Sequence, residues 1–213
     1  MALEKFGIKE VADVRFYNPG EVTYDAAKGT LTVAAGVEPQ LEFTTLKVSN
    51  LEFTAEQSEA RGGKGNAPLI IWDYGREVTF TLEDALLSDD AMRKLFGDKA
   101  STNKAITIGA STFPGAYAIV GVTFARDQVT NTDHLFTFYA PNAKVGSEMT
   151  LTMEAEGDPT VFSINMRALR KSATDDTMVA LIPGEAAAVG NLFNQVITEA
   201  TETPANPEQG SEA

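Results

Sequence analysis

The sequence contains no cysteine, so a disulfide framework, a thiolate nucleophile and a thiolate metal site are all closed to it. One histidine, His134, and one tryptophan, Trp72, occur in 213 residues. Bases are also scarce: 17 Lys and Arg stand against 30 Asp and Glu, a net charge of -13. Holding nucleic acid through its phosphates needs clustered cations, so this balance argues against DNA or RNA binding of that kind. Long apolar runs are missing as well. The opening MALEKFGIKEVADVRFY mixes charges among its apolar residues, unlike a signal peptide, and no later stretch approaches the roughly 20 apolar residues of a membrane span. The expectation is a soluble chain made in the cytoplasm, with no membrane association. Its length suits one domain, or one domain with an extension, and suffices for a substantial core.

What is present is mostly strand pattern. Val14 and Phe16 in ADVRFY, and Leu31 and Val33 in GTLTVAAG, alternate with polar residues between Gly and Pro, which predicts a short-stranded meander in the N-terminal quarter. Residues 43 to 88, FTTLKVSNLEFTAEQSEARGGKGNAPLIIWDYGREVTFTLEDALLS, predict two long strands joined by a basic, glycine-rich loop. On the first, Leu51, Phe53 and Ala55 alternate with Glu52, Thr54 and Glu56, while Leu46 and Val48 fall in the opposite phase; a bulge near Ser49 and Asn50 would reconcile them. On the second, Val78, Phe80 and Leu82 alternate with Glu77, Thr79, Thr81 and Glu83. Such a sheet covers a core with one face and shows acid to water with the other.

A helix is predicted next, over about 89 to 96. Ser88 is placed as N-cap, Asp89 and Asp90 favour the positive end of the macrodipole, Arg93 and Lys94 the negative end, and Gly97 supplies the stop. Leu87 and Met92 have hydrophobic-staple spacing. Further strands are predicted at 118 to 125, 135 to 139, 148 to 156, 160 to 169 and 178 to 182, with Gly157, Asp158 and Pro159 turning the chain between two of them. Beyond Pro183, Val189, Leu192, Phe193, Val196 and Ile197 have the spacing of an amphipathic helix. The final TEATETPANPEQGSEA, with four acids, no base and two prolines, has the composition of a disordered tail. The expected organisation is a β domain over 1–183, a helical extension over 184–197 and an acidic tail over 198–213.

Catalytic and metal chemistry find little support. ARGGKGNAP lacks the GxxxxGK[ST] spacing of a phosphate loop and leads into a strand rather than a helix. Asp133 and His134 are adjacent and point to opposite faces of an extended chain, which does not suit a Ser-His-Asp triad. Asp175 with Asp176, or Asp127 with Asp133, could supply oxygen ligands, yet no EF-hand-like spacing accompanies them. Trp72 could stack on a sugar, or belong to a core or an interface. The expectation is a protein that is not an enzyme and carries no cofactor or metal.

The stretch from Thr45 to Ser88 resembles the major tail (tail tube) proteins of tailed bacteriophages, through the loop Ala60 to Asn66, the strand start Trp72 to Glu77 and the strand-to-helix passage Thr81 to Ser88. ALEKFGIKEVADVRFY and EMTLTMEAEGDPTVF are similar to that family too, so the resemblance runs to about residue 182. It implies a mainly β fold, a β-sandwich or partial barrel with long hairpins and one short flanking α-helix. It also implies hexameric rings whose hairpins join into an inner β-barrel, stacked into a tube around a tape-measure protein, with terminator and baseplate proteins at its ends and, in contractile tails, a sheath.

The residues support this at two points. Open hairpin edges are a liability that closure with neighbours removes. Acidic strand faces suit a lumen through which double-stranded DNA slides without adhering, since carboxylates repel the polyanion within roughly 10 Å. Glu52, Glu56, Glu148, Glu154 and Glu156 are the candidates to line that lumen, against a reading as ordinary solvated acids. Arg61, Lys64 and Asn66 in the loop are the candidates for contact with acids of an adjacent ring. Localisation would be the virion, with assembly in the host cytoplasm. A capsid decoration protein and a carbohydrate-binding β-sandwich share the acidic, β-rich character.

Overall fold

The computed structural model describes residues 6–44, 46–63, 65–84, 88–97, 106, 108–151 and 162–183. They form β1 (Phe6–Tyr17), β2 (Val22–Asp25), β3 (Thr30–Val33), β4 (Leu41–Phe43), β5 (Leu46–Gly62), β6 (Ala67–Asp84), α1 (Asp89–Phe96), β7 (Ala116–Asp127), β8 (Asp133–Leu151), β9 (Phe162–Ala168) and β10 (Ala180–Pro183). The main sheet runs β4-β1-β7-β8-β9-β6-β5, β10 also pairs with β8, and β2 with β3 forms a separate hairpin. Every pairing is antiparallel. The sheet does not close on itself: β4 and β5 are its ends. This is the expected mainly β sandwich or partial barrel with one short helix.

One core lies between the two halves of the folded sheet. Val14 and Phe16 of β1, Ile119 of β7 and Phe138 of β8 meet Val78, Phe80 and Leu82 of β6 and Ile164 and Met166 of β9. A second core lies on the other side of β7 and β8, where Val120, Val122 and Tyr139 meet Val22 and Leu31 of the β2–β3 hairpin. Strand β7 is therefore buried on both faces from Tyr117 to Ala125, which is why AYAIVGVTFA reads as continuously apolar rather than alternating. Tyr139 donates to the Val22 carbonyl at 2.7 Å, and burial pushes its hydroxyl up to about 12.

Helix α1 forms where its caps place it. The Ser88 Oγ accepts from the Ala91 amide at 3.1 Å, and Gly97 takes the left-handed conformation at φ 74°, its amide donating to the Arg93 and Lys94 carbonyls. Ala91 and Leu95 face the first core. Lys94 bonds Asp90 at 2.7 Å and the Gln40 carbonyl at 2.8 Å, tying the helix to the segment before β4. Leu87 of the expected staple lies outside the described residues, as do 184–197 and 198–213.

The structure corrects four expectations. The N-terminal quarter is not a simple meander, because β1 pairs with β4 and β7 while β2 and β3 pair only with each other. The bulge in β5 falls at Lys47 rather than near Ser49 and Asn50: Leu46 stands opposite Asp84 and Val48 opposite Glu83. That extra residue brings Leu46 into phase with Leu51, and both pack on the core. The strands predicted at 135 to 139 and from 148 belong to one strand, β8. Pro141 does not end it, because the β7 register slips there, with Ile119 opposite Ala140 and Tyr117 opposite Ala143. A bulge is where a strand accepts a residue with no N–H to donate. Finally, Trp72 is not a core residue, being 51% exposed.

Candidate assembly surface

Strands β5, β6, β9 and the end of β8 make a four-stranded wall. Its inner face carries Val78, Phe80, Leu82, Ile164, Met166 and Val145, all buried in the first core. Its outer face carries Glu52, Thr54, Glu77, Thr79, Thr81, Glu83, Asn165, Arg167 and Lys144. The Thr81 hydroxyl donates to Asn165 Oδ1 at 2.9 Å, and Arg167 pairs with Glu77 at 3.0 Å. A shallow groove runs between them, lined by Glu52, Glu77, Thr79, Thr81, Gly146, Asn165 and Arg167. The acid-and-threonine face expected of the two hairpin arms is met on β5 and β6, and β9 and β8 add Arg167 and Lys144 to it.

Beyond the wall the β5–β6 hairpin continues as a free arm. β9 pairs with β6 only from Thr79 to Asp84, so Ala67 to Val78 have β5 on one side and no strand on the other among the described residues. The arm residues of β5 after Thr54 extend roughly 25 Å at the usual rise per strand residue. A second bulge marks the boundary. Thr54 stands opposite Glu77 but Glu56 opposite Tyr74, so β6 carries one extra residue there, and Gly75 sits at φ 62°. The extra residue inverts the faces of β6. Below it, even-numbered residues point to the core; above it, Tyr74, Trp72 and Ile70 stand opposite Glu56, Ser58 and Ala60 and continue the outer face.

The arm is sided by strand. On β6, Leu69 (68%), Ile70 (53%), Ile71 (52%), Trp72 (51%) and Tyr74 (53%) are all more than half exposed. On β5 the same length is polar, with Glu56, Gln57, Ser58, Glu59 and Arg61. Gln57 donates to Asp73 at 2.8 Å and Arg61 to Glu59 at 2.7 Å. Apolar side chains exposed on both faces of a two-stranded ribbon are what an intermolecular contact covers.

Of the candidate lumen acids, Glu52 lies on the outer face of the wall and Glu56 on the continuation of that face along the arm, both exposed. Glu148 belongs to β8 through its backbone, and Glu154 and Glu156 lie outside the described residues. Of the loop candidates, Arg61 is the penultimate residue of β5, and Asn66, at φ 51°, closes the tight turn, its backbone N–H donating to the Gly63 carbonyl at 3.3 Å. Lys64 lies outside the described residues. The structure therefore gathers Arg61 and Asn66 at the arm tip and holds Glu52 apart from them, on the wall. The exposed apolar stripe of β6 was missed in the sequence, although LIIW beside a tight turn was the signal.

The other singled-out groups serve local structure. Asp133 forms a two-point pair with Arg126 at 2.7 and 2.9 Å, and His134 Nε2 lies 2.9 Å from the Thr132 hydroxyl, so the two do not act on one another. Among the described residues no three His, Cys, Asp or Glu side chains gather as a metal site. The Thr177 side-chain hydrogen bond, the Lys171 ammonium at 2.9 Å and the Thr177 amide at 3.0 Å hold the Asp175 carboxylate down at about 2. A depressed carboxylate stabilises its loop above the ordinary value of 3.8 and loses that contribution as pH falls from about 4 to about 2. Asp175→Asn is therefore expected to lower the melting temperature slightly at pH 7, with wild type and variant converging near pH 2 in a thermal melt series.

A family model described as the YomU/Tube protein family matches residues 6–102 and 97–182, together most of the chain. The chain belongs to the YomU/Tube protein family. The resemblance to phage tail tube proteins read from the sequence is thereby borne out, and the protein is a phage tube-type structural protein. No curated protein matches it. Among solved structures it is similar to a chain of the anti-feeding prophage (AFP) baseplate, determined by cryo-EM with 6-fold symmetry imposed. The TM-score is 0.42 at 11% identity, over 76% of this chain and 92% of that one. As a member of the YomU/Tube family, this chain presents two open surfaces on one hairpin, a wall with a wet face and an arm with an apolar stripe.

Proposed function

We propose that this protein is the major tail tube subunit of a tailed phage, polymerising as stacked hexameric rings into a hollow, negatively lined conduit for DNA ejection. The observation that carries this reading is the β5–β6 hairpin: a wall strand at the open end of the sheet, prolonged into an arm with five large apolar side chains in solvent. A monomer exposes such an edge and stripe at the risk of indiscriminate aggregation, and repeated self-association covers both. The partners are further copies of the chain, a tape-measure protein inside the tube, terminator and baseplate proteins at its ends and, in a contractile tail, a sheath. DNA passes without specific contact.

Negative-stain electron microscopy and light scattering of the purified chain over a concentration range test the reading. Hollow tubes or stacked rings support it. A compact species at all concentrations overturns it in favour of a decoration protein, or of a sugar-binding module if sugars also shift the Trp72 fluorescence. Within the tube, Glu52, Glu56, Glu148, Glu154 and Glu156 face the lumen and keep the polyanion off the wall. Changing these five to Gln is expected to leave tubes intact and to slow DNA release from reconstituted virions several-fold; an unaltered release rate removes their lumen role.

A further inference from the structure

The sandwich around the first core has two ends, and one of them carries a helix. At that end Tyr117 of β7 stands opposite Ala143 of β8, Ala91 and Leu95 of α1 pack on the core, and the Tyr117 hydroxyl donates to the Lys94 carbonyl at 3.2 Å. The register leads from there to the other end. On the first-core side of the sheet, Val14, Gly121, Phe138 and Leu181 make one row across β1, β7, β8 and β10; Thr123, Phe136 and Pro183 belong to the next, and Ile8, Ala125 and His134 to the last. The opposing strand β6 meets the row of Phe138 through the stacked ring of Phe80. Phe136 and Ala125, in the rows beyond, are buried and belong to neither core. Around them apolar surface stays open: Ile8 is 59% exposed, Leu181 45% and, in the turn between β7 and β8, Val129 77%.

The chain delivers a cover to this place. β10 runs antiparallel to β8, from Ala180 opposite Tyr139 to Pro183 opposite Phe136, so residue 184 leaves the sheet beside the row that holds Thr123 and Phe136. The segment that follows has Val189, Leu192, Phe193, Val196 and Ile197 at the spacing of one helical face, and Asn191, Asn194, Gln195 and Thr198 fall on the other. An apolar stripe of this kind needs a surface to lie on. Length matches it to this one. Residues 186–197 rise about 17 Å as a helix. From β10 across β8 and β7 to β1 are three strand spacings, about 14 Å.

We infer that residues 186–197 dock as a helix across this end of the first core, within the same copy of the chain, their apolar stripe seated on the surface between Leu181 and Ile8. The helix starts at β10 and finishes over β1, which places Val189 nearest Leu181 and Ile197 nearest Ile8. The first core is then closed by a helix at each end, α1 at one and the extension at the other. An apolar patch left open invites indiscriminate association, and a cover carried in the chain removes it without a partner. The contact is internal, so it goes beyond the assembly reading and does not rest on it.

The lack of cysteine makes the test direct, because a disulfide engineered into the full-length chain meets no native thiol. Ile8→Cys is combined with Ile197→Cys. Thr32→Cys with Ile197→Cys is the control, Thr32 being exposed on the β2–β3 hairpin, on the far side of the second core. In a dilute sample under mild oxidation, the first pair is expected to close within the monomer about tenfold faster than the control, read on non-reducing gels and by mass spectrometry. Separately, Leu192→Ser with Phe193→Ser is expected to lower the melting temperature by roughly 5–10 °C. It should also speed amide exchange at 123–127 and 133–136 about tenfold, with a smaller change at 78–82. Should that variant fail to fold, the disulfide decides alone. Equal closure rates for the two pairs, or unchanged exchange in the folded variant, overturn the inference. Crosslinks found only between copies overturn it too, and assign the stripe to a neighbouring molecule. Failure of the wild type to form tubes strikes the tube reading and leaves this inference standing.

Discussion

Replacing Ile70, Trp72 and Tyr74 together by Ser is expected to abolish tube formation and leave the monomer folded. The three side chains share one face of the arm and are each about half exposed. In the monomer they stand opposite Glu56, Ser58 and Ala60 across the hairpin, so removing them forfeits cross-strand contacts of a few tenths to about 1 kcal/mol each. None belongs to either core. In an assembly the same side chains lose their remaining water, and burying an apolar or aromatic side chain contributes about 1.5–3 kcal/mol. Tryptophan and tyrosine are among the residues on which interface energy concentrates. A loss of roughly 4 kcal/mol per contact corresponds to about a thousandfold in the concentration needed for assembly. The check is a melt beside a sedimentation and microscopy series: unchanged melting with no tubes up to the highest soluble concentration. Tubes at the wild-type concentration would remove the arm from the interface. Arg61 stands at the arm tip, where its side chain pairs with Glu59 in the free chain.

How much of this was legible in the sequence depended on how local the cause was. The helix was legible to the residue, because Ser88, the paired acids and Gly97 act within one turn of where they stand. The wall was legible because period-two alternation in Val78, Phe80 and Leu82 states which face is buried whatever the partner strand. Phase was harder to read. Leu46 and Leu51 look out of step, and that a bulge must intervene follows from the sequence, but its place at Lys47 is decided by the facing strand. Gly75 was the larger loss. It inverts β6, so Trp72 and Tyr74, in register with Val78 and Phe80 on paper, turn to the outer face. An isolated glycine in a strand signals a bulge or a close backbone approach without saying which. The meeting of acids and bases on the outer face of the wall was invisible for a different reason. Glu52, Thr79, Lys144 and Arg167 are scattered through the chain, and only the strand order β5-β6-β9-β8 makes them neighbours.

Gly121 illustrates the close-approach alternative and carries the largest expected effect on folding. It lies in the middle of β7 directly opposite Phe138 on β8, and the Phe138 ring lies over it, filling the space where a Cβ would stand. The ring has no room to retreat. It is stacked on Phe80 with centroids 5.9 Å apart and an interplanar angle of 27°, and both are buried in the first core. Gly121→Ala brings the higher strand propensity of alanine, worth at most about 1 kcal/mol, against overpacking that costs about 1–3 kcal/mol and more where nothing yields. Here the pleat fixes both backbones, so the expected net loss is about 3 kcal/mol by urea denaturation, and Gly121→Val is expected not to accumulate as folded protein. Phe138→Leu alone should also destabilise, by loss of ring packing. In combination with Gly121→Ala it should cost clearly less than the sum, because the methyl group occupies space the ring has vacated. Additive losses in that double-mutant cycle would show that the glycine is needed for its backbone rather than for the ring above it.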